Sequence, residues 1–212
     1  MKKNKIKLLI FDFDFTLVDS MKAMLRVRKD LKDLYGLAMS DRPEKIIWGS
    51  NISQNALWLK EWNHSPLSVS EIADLITKYV NIYYPKLEII YPELFLDWMK
   101  EEKLLAVVSS CSDEALKKTF ANPANRKIKF ELVLQSDKNI DKSHCIEKCL
   151  SDLKIYKDEA IYIGDHTNDI QAAKKAGVLS CGITTGWCDK EELLSAEPDI
   201  VIDNLKELNK FI

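Results

Sequence analysis

The chain is expected to fold as an α/β protein, a doubly wound parallel sheet core carrying an inserted α-helical block. Three observations predict this. Short, mostly continuous apolar runs recur at 6–11, 104–108, 132–134, 160–163, 178–183 (interrupted by Ser180 and Gly182) and 200–202, and continuous rather than alternating apolarity marks strands covered on both faces. Amphipathic helical patterns separate most of these runs. One long stretch, 18–85, breaks the alternation with helical patterns and no strand signal.

Taken in order, the first strand gives way to a block of three helical patterns. Met21, Met24, Leu25, Leu31, Leu34 and Tyr35 form the first, a second lies near 53–62, and Ile72, Leu75, Ile76, Tyr79, Val80 and Tyr83 form the third. An insertion at that point reads as a cap over the carboxyl ends of the strands, where ligands bind in open α/β sheets. The expected division is therefore a core of 1–17 and 86–212 with a cap of 18–85. Trp48, Trp58 and Trp62 fall in the cap and read mainly as its own core.

Beyond the second strand, Ser112 is placed to cap a helix carrying Ala115, Leu116, Thr119 and Phe120. A helix over 141–153 follows the third strand. The one after the fourth strand, 167–176, ends at Gly177, a residue suited to the left-handed stop. Asp189 and Glu192 have capping-box spacing, and Pro198 breaks the chain before the last strand.

The chain has 212 residues, 46% hydrophobic and 30% charged, with 31 Lys and Arg against 33 Asp and Glu for a net charge of −2. That apolar share supports a packed core. The balance gives no support for a nucleic-acid polymer or a membrane surface as partner, either of which calls for a basic excess. The lysines of the first seven residues followed by an apolar run imitate a signal peptide, but Asp12 and Asp14 cut the run far short of an h-region. Five cysteines, Cys111, Cys145, Cys149, Cys181 and Cys188, form no regular framework. They read as reduced thiols in a cytoplasmic protein, with Cys149 on the apolar stripe of its helix rather than in a metal pair with Cys145.

Chemistry concentrates at strand ends. Asp12 and Asp14 close the first strand and, two residues apart in extended chain, point to one side. Two carboxylates so placed repel unless a cation compensates or one stays protonated. A second acidic pair, Asp165 and Asp169, follows the fourth strand in the segment Gly164-Asp165-His166-Thr167-Asn168-Asp169. Together they offer the oxygen shell of a hard cation such as Mg²⁺, which takes few carboxylates and completes its shell with water and phosphate oxygens. His166 reads as a solvated loop histidine. Ser109 and Ser110, where the second strand ends and a helix begins, offer a hydroxyl and backbone N–H groups to an anion. Lys142 opens the helix after the third strand, with Lys138 as its competitor.

These segments resemble the haloacid dehalogenase superfamily of Mg²⁺-dependent phosphohydrolases. The match runs through DFDFTLVDS from Asp12, VVSS at 107–110, Lys142 and IYIGDHTNDIQAAKKAG at 161–177, and extends to Gly186 and the tail from Pro198. A helical cap between the first two motifs is similar to the phosphoglycolate-phosphatase-like subgroup. The resemblance implies a Rossmann-like core and a phosphatase acting on a small phosphorylated metabolite through an aspartyl phosphate. It implies Asp12 as nucleophile, Asp14 as general acid–base, and Ser109, Ser110 and Lys142 as phosphate ligands. Mg²⁺ would be held by the Asp12 carboxylate, the Asp14 backbone carbonyl and Asp165, with Asp169 nearby or through water. Alternatives are a phosphomutase of the β-phosphoglucomutase type and a non-catalytic aspartyl-phosphate switch. Specificity is expected from cap residues, among them Arg26, Arg42, Trp48, Asn51 and Trp58.

Two departures stand out. Phe15 occupies a position where the family usually has Gly, and Phe adopts positive φ only at a cost. Ser143 and Cys145 replace the prolines usual around the lysine.

Overall fold

The computed structural model describes residues 6–38, 52–137 and 140–212. Six strands, β1 (Leu8–Phe11), β2 (Leu104–Ser109), β3 (Leu132–Gln135), β4 (Ala160–Gly164), β5 (Leu179–Ile183) and β6 (Ile200–Ile202), form one sheet in the order β3-β2-β1-β4-β5-β6. Every pairing is parallel. The order reverses direction at β1 and β4, and such a switch point opens a crevice at the carboxyl ends.

The apolar runs are continuous because both faces are covered. Leu8 and Ile10 pack with Ile146, Cys149 and Leu150 under one layer of helices, α6 (Lys142–Leu153) and α7 (Thr167–Ala176). Leu9 and Phe11 face the other way, among Phe95 and Trp98 of α4 (Pro92–Lys100) and Ala115 and Leu116 of α5 (Asp113–Ala121). The Phe11 ring lies 5.3 Å from Phe95 and 5.9 Å from Trp98. Truncating an aromatic so enclosed costs about 3–5 kcal/mol. A short α8 (Lys190–Ser195) and β6 close the chain's last crossover.

Between β1 and residue 84 the described residues hold three helices and no strand: α1 (Met21–Tyr35), α2 (Ile52–Asn63) and α3 (Val69–Tyr83). Ser68 and Glu71 form a reciprocal capping box on α3. A 3₁₀ turn, Tyr84–Lys86, returns the chain towards the sheet. Trp58 and Trp62 stack at 5.9 Å with their planes 9° apart. Trp48, Arg42, Asn51 and Lys138 lie outside the described residues.

Local chemistry sets the helix ends. Ser112, Asp141 and Asp189 each accept a backbone N–H as N-caps, and Gly177 ends α7 at φ 79°. The helix α4 is an element the sequence reading passed over. Pro92 in its first turn and the buried spacing of Leu94, Phe95 and Trp98 were its signals. All five cysteines are buried free thiols, and Cys145 and Cys149 both belong to the apolar layer beneath α6. Among the described residues no helix is long and apolar enough to cross a membrane.

Candidate active site

The ends of β1, β2 and β4 meet the start of α6 around a cavity of about 590 Å³. Asp12, Asp14, Ser109, Ser110, Lys142, Asp165 and Asp169, drawn from four separate segments, all line it. The structure thus brings together the candidate catalytic, phosphate-binding and metal-holding residues.

Asp12 is fixed by its own backbone, whose N–H donates to Ile163 O at 2.8 Å across the β1–β4 pair. Lys142 is fixed by the helix it opens. Asp141 caps α6, its side chain accepting from the His144 N–H at 3.0 Å, and this sets Lys142 in the first turn facing the cavity. The ammonium then donates to Asp12 Oδ1 at 3.0 Å and to Asp169 Oδ1 at 2.6 Å. Asp169 is fully buried and held on both oxygens. The Tyr162 hydroxyl donates to Oδ1 at 3.3 Å, and the His166 N–H donates to Oδ2 at 3.0 Å. Asp165 Oδ2 accepts from the Trp187 N–H at 3.0 Å.

Two glycines let these carboxylates sit against backbone. A Cβ on Gly186 would fall 1.8 Å from Asp165 Oδ2, and one on Gly164 would fall 2.4 Å from Asp169 Cγ. Any side chain at either position displaces an acid. Burial pushes the Asp12 carboxyl up to about 7, Lys142 opposing the rise and the charges of Asp169 and Asp14 adding to it. Asp165 is raised well above the carboxylate range by burial and then by Asp12 and Asp169. Asp14 is raised by burial, with the Ser20 hydroxyl and then the Tyr84 hydroxyl restraining it. For Lys142 burial works against the charge, yet Asp12 and Asp169 outweigh it and hold the ammonium well above its ordinary value.

Oxygens of Asp12, Asp165 and Asp169 lie within 4.8 Å of one another, and all three residues are buried. One ammonium among four buried or half-buried acids leaves negative charge that a cation or protons must offset. Asp12 Oδ2 and Asp165 Oδ1 make no hydrogen bond among the described residues, whereas both oxygens of Asp169 are engaged. The donor set is all oxygen and suits a hard divalent ion.

The phosphate-facing side is more modest. Ser109 is buried, its Oγ accepting from the Cys111 N–H at 3.1 Å, and Ser110 Oγ lies 3.0 Å from Ser136 Oγ. His166 differs from the expected solvated residue: its Nδ1 accepts from the Asn168 N–H at 3.1 Å, making it the N-cap of α7. Burial lowers its ring below the ordinary value. Phe15 takes the left-handed conformation, φ 58°, despite its side chain. Its N–H donates to Val18 O at 2.8 Å, its carbonyl accepts from Thr185 Oγ1 at 2.7 Å, and its ring meets Trp187 edge-on at 5.1 Å. These contacts offset a backbone cost of about 1–2 kcal/mol. Arg26 packs over the Tyr83 ring at 5.9 Å and Trp58 against Trp62, so neither lines the cavity. Tyr84, Ser136 and Tyr162 are polar contacts at the site that the sequence reading did not find. Tyr84 and Ser136 come from segments with no motif around them, whereas Tyr162 lies within the 161–177 segment and reads there as an apolar strand residue.

A Rossmann-like sheet with paired acids at two strand ends, a lysine and a serine turn defines the class. The chain belongs to the haloacid dehalogenase-like hydrolase family, whose model matches residues 9–183. A phosphoglycolate phosphatase from Synechococcus elongatus is 22% identical over 206 residues, covering 94% of this chain and 94% of that protein. Pyrophosphatase PpaX from Listeria welshimeri is 23% identical over 222 residues, covering 96% and 95%. A haloacid dehalogenase-like family hydrolase from Streptococcus pneumoniae shares the fold, with a TM-score of 0.81 at 20% identity over 98% of this chain and 99% of that one.

Proposed function

We propose that the protein is a Mg²⁺-dependent phosphatase that hydrolyses a small phosphomonoester through an aspartyl phosphate on Asp12. The observation that carries this is the buried Asp12–Lys142–Asp169 bridge facing the Ser109–Ser110 turn within one cavity. The phosphatase relatives, matched over nearly the full chain, support the same reaction class.

In this reading the Ser109 hydroxyl and the Ser110 N–H bind phosphoryl oxygens, and the Lys142 ammonium neutralises charge on them. An Asp12 oxygen bonds to phosphorus as the bond from phosphorus to the ester oxygen breaks. The departing oxygen takes its electron pair and the proton that Asp14 carries. Asp14, now a carboxylate, next accepts a proton from water as that water's oxygen attacks phosphorus. The Asp12–phosphorus bond breaks and inorganic phosphate leaves. Splitting one displacement into two, with a positioned acid–base, lowers each barrier. Mg²⁺ would be held by the Asp12 and Asp165 carboxylates and the Asp14 carbonyl, with Asp169 behind them on Lys142. When bound, the ion offsets the charge spread over the phosphoryl oxygens. Residues 18–85 act as a cap over a core of 1–17 and 86–212, and enclose the leaving group.

The test is Mg²⁺-dependent phosphate release from a panel of phosphoglycolate, sugar phosphates, nucleotides and pyrophosphate. Asp12→Asn is expected to lower turnover by at least ~10³-fold. Unchanged turnover in that variant overturns the assignment of the nucleophile.

A further inference from the structure

Asp14 is not positioned by its own strand end alone. The Tyr84 hydroxyl donates to Asp14 Oδ1 at 2.9 Å from 70 residues away in sequence. Tyr84 is itself buried and held at two points. Its carbonyl accepts from Thr119 Oγ1 at 2.9 Å, its ring stacks on Phe13 at 6.1 Å with planes 30° apart, and only 3% of its surface is exposed. It sits in the 3₁₀ turn where the chain returns from the helical block, beside the outgoing segment that carries Asp14. The same two segments are tied by the Ile90 N–H, which donates to Leu17 O at 2.9 Å, and by a Val18–Ile89 bridge. The buried Ser20 hydroxyl lies close to both the Asp14 carboxyl and the Tyr84 hydroxyl, and within that cluster a hydroxyl that donates to a carboxylate from a clamped backbone has little freedom to turn elsewhere.

We propose that Tyr84 is a positioning residue for proton transfer: it holds Oδ1 of Asp14, so that Oδ2 carries the proton exchanged with the leaving group and then with water. The inference rests on the reading of Asp14 as acid–base. In the first step the P–O ester bond breaks, the ester oxygen takes the Oδ2 proton, and Tyr84 keeps its own proton while donating to Oδ1. The hydroxyl is neither consumed nor transferred, and it stabilises the carboxylate that remains.

A merely structural tyrosine and a positioning one differ in how their loss depends on the leaving group. An alkyl phosphate needs its departing oxygen protonated, whereas p-nitrophenolate leaves as a stable anion. With kcat/KM as the readout of the step up to aspartyl-phosphate formation, Tyr84→Phe is expected to slow an alkyl phosphate about tenfold, a part of the ~10²–10⁴ that positioned acid–base catalysis supplies. The loss with p-nitrophenyl phosphate should stay below about threefold. The ratio of the two rates cancels the fraction of folded enzyme. Should Tyr84→Phe fail to accumulate, Tyr84→Met fills the space without a donor and must show the same split. Equal losses on both substrates, or no loss, overturn the proposal. Asp14→Asn is the control: a split there without one in Tyr84→Phe removes Tyr84 alone. No split in Asp14→Asn removes the acid–base reading and the proposal with it.

Discussion

The two ends of the cavity are built by opposite means. At the sheet end, charged groups sit on short turns and are fixed atom by atom. Lys142 bridges Asp12 and Asp169, and single backbone N–H groups seat Asp165 and Asp169. At the helical end the lining is mainly apolar, with Met24, Val27 and Leu31 from α1, Ile52 from α2, and Ile76 and Val80 from α3, interrupted by Arg28 of α1 and by Gln54 and Asn55 of α2. One end depends on charge and hydrogen-bond direction, which fail when a single atom is removed. The apolar part of the other depends on volume, which degrades in proportion to what is lost. On the proposed function, catalytic chemistry and leaving-group fit would thereby be separable.

The sharpest way to break this contrast is Lys142→Met, which keeps the volume and deletes the charge. Asp12 and Asp169 then face each other without the ammonium. The expected result is a fall in turnover of ~10²–10³-fold and a loss of stability of about 3–5 kcal/mol, the cost of unpairing a buried ion pair. Phosphate release and thermal unfolding measure the two.

A second effect follows from protons competing with the ion. A carboxyl raised to about 7 at Asp12, beside a raised Asp165, holds protons in the metal-free protein that Mg²⁺ at the proposed site would have to displace. Apparent Mg²⁺ affinity should therefore rise with pH, by up to about tenfold per unit for each proton displaced, with the Asp12 contribution flattening above about 7. Calorimetry at pH 6 and pH 8 in buffers of different ionisation enthalpy reads both affinity and proton release. The stability sign is the reverse of the usual carboxylate case. Between the ordinary value of 3.8 and about 7, the folded chain binds more protons than the unfolded one. Metal-free stability from this group thus falls as pH rises through that window, and Mg²⁺ restores it.

The smallest expected effect on chemistry comes from the helical end. Ile76→Ala should leave Mg²⁺ affinity unchanged and alter kcat for the smallest substrate by less than about threefold, while shifting KM among bulkier phosphomonoesters by up to ~10-fold. Steady-state kinetics across the panel check this. A large change in Mg²⁺ affinity would show that the two ends are coupled.

Much of the architecture is legible because strands buried on both faces leave continuous apolar runs, and the runs at 160–163 and 200–202 coincide closely with β4 and β6. Helix ends are equally local: Ser112, Asp141, Asp189 and Gly177 act within a few residues of where they stand. The candidate site was legible in its charged members, because acids and serines directly after buried strands are conspicuous. Tyr84 was not, since nothing in its neighbourhood distinguishes a core tyrosine from one whose hydroxyl meets an acid 70 residues away. Tyr162, though inside the 161–177 motif, sits in an apolar strand run that gives no sign of its hydroxyl meeting Asp169. Arg26 and Trp58 looked suited to a pocket, and packing turned them onto other aromatic rings instead.

By itself, the sequence determined the alternation of elements, the caps and the order in which the reactive residue types occur, all set by short-range periodicity and backbone preference. The tertiary structure decided which carboxylates share Lys142, and it decided which tyrosines face an acid. It also decided that Phe15 takes a left-handed conformation its own side chain disfavours. Those outcomes depend on groups far apart in the chain, whose desolvation and packing have no counterpart until the sheet closes and brings them within a few ångströms.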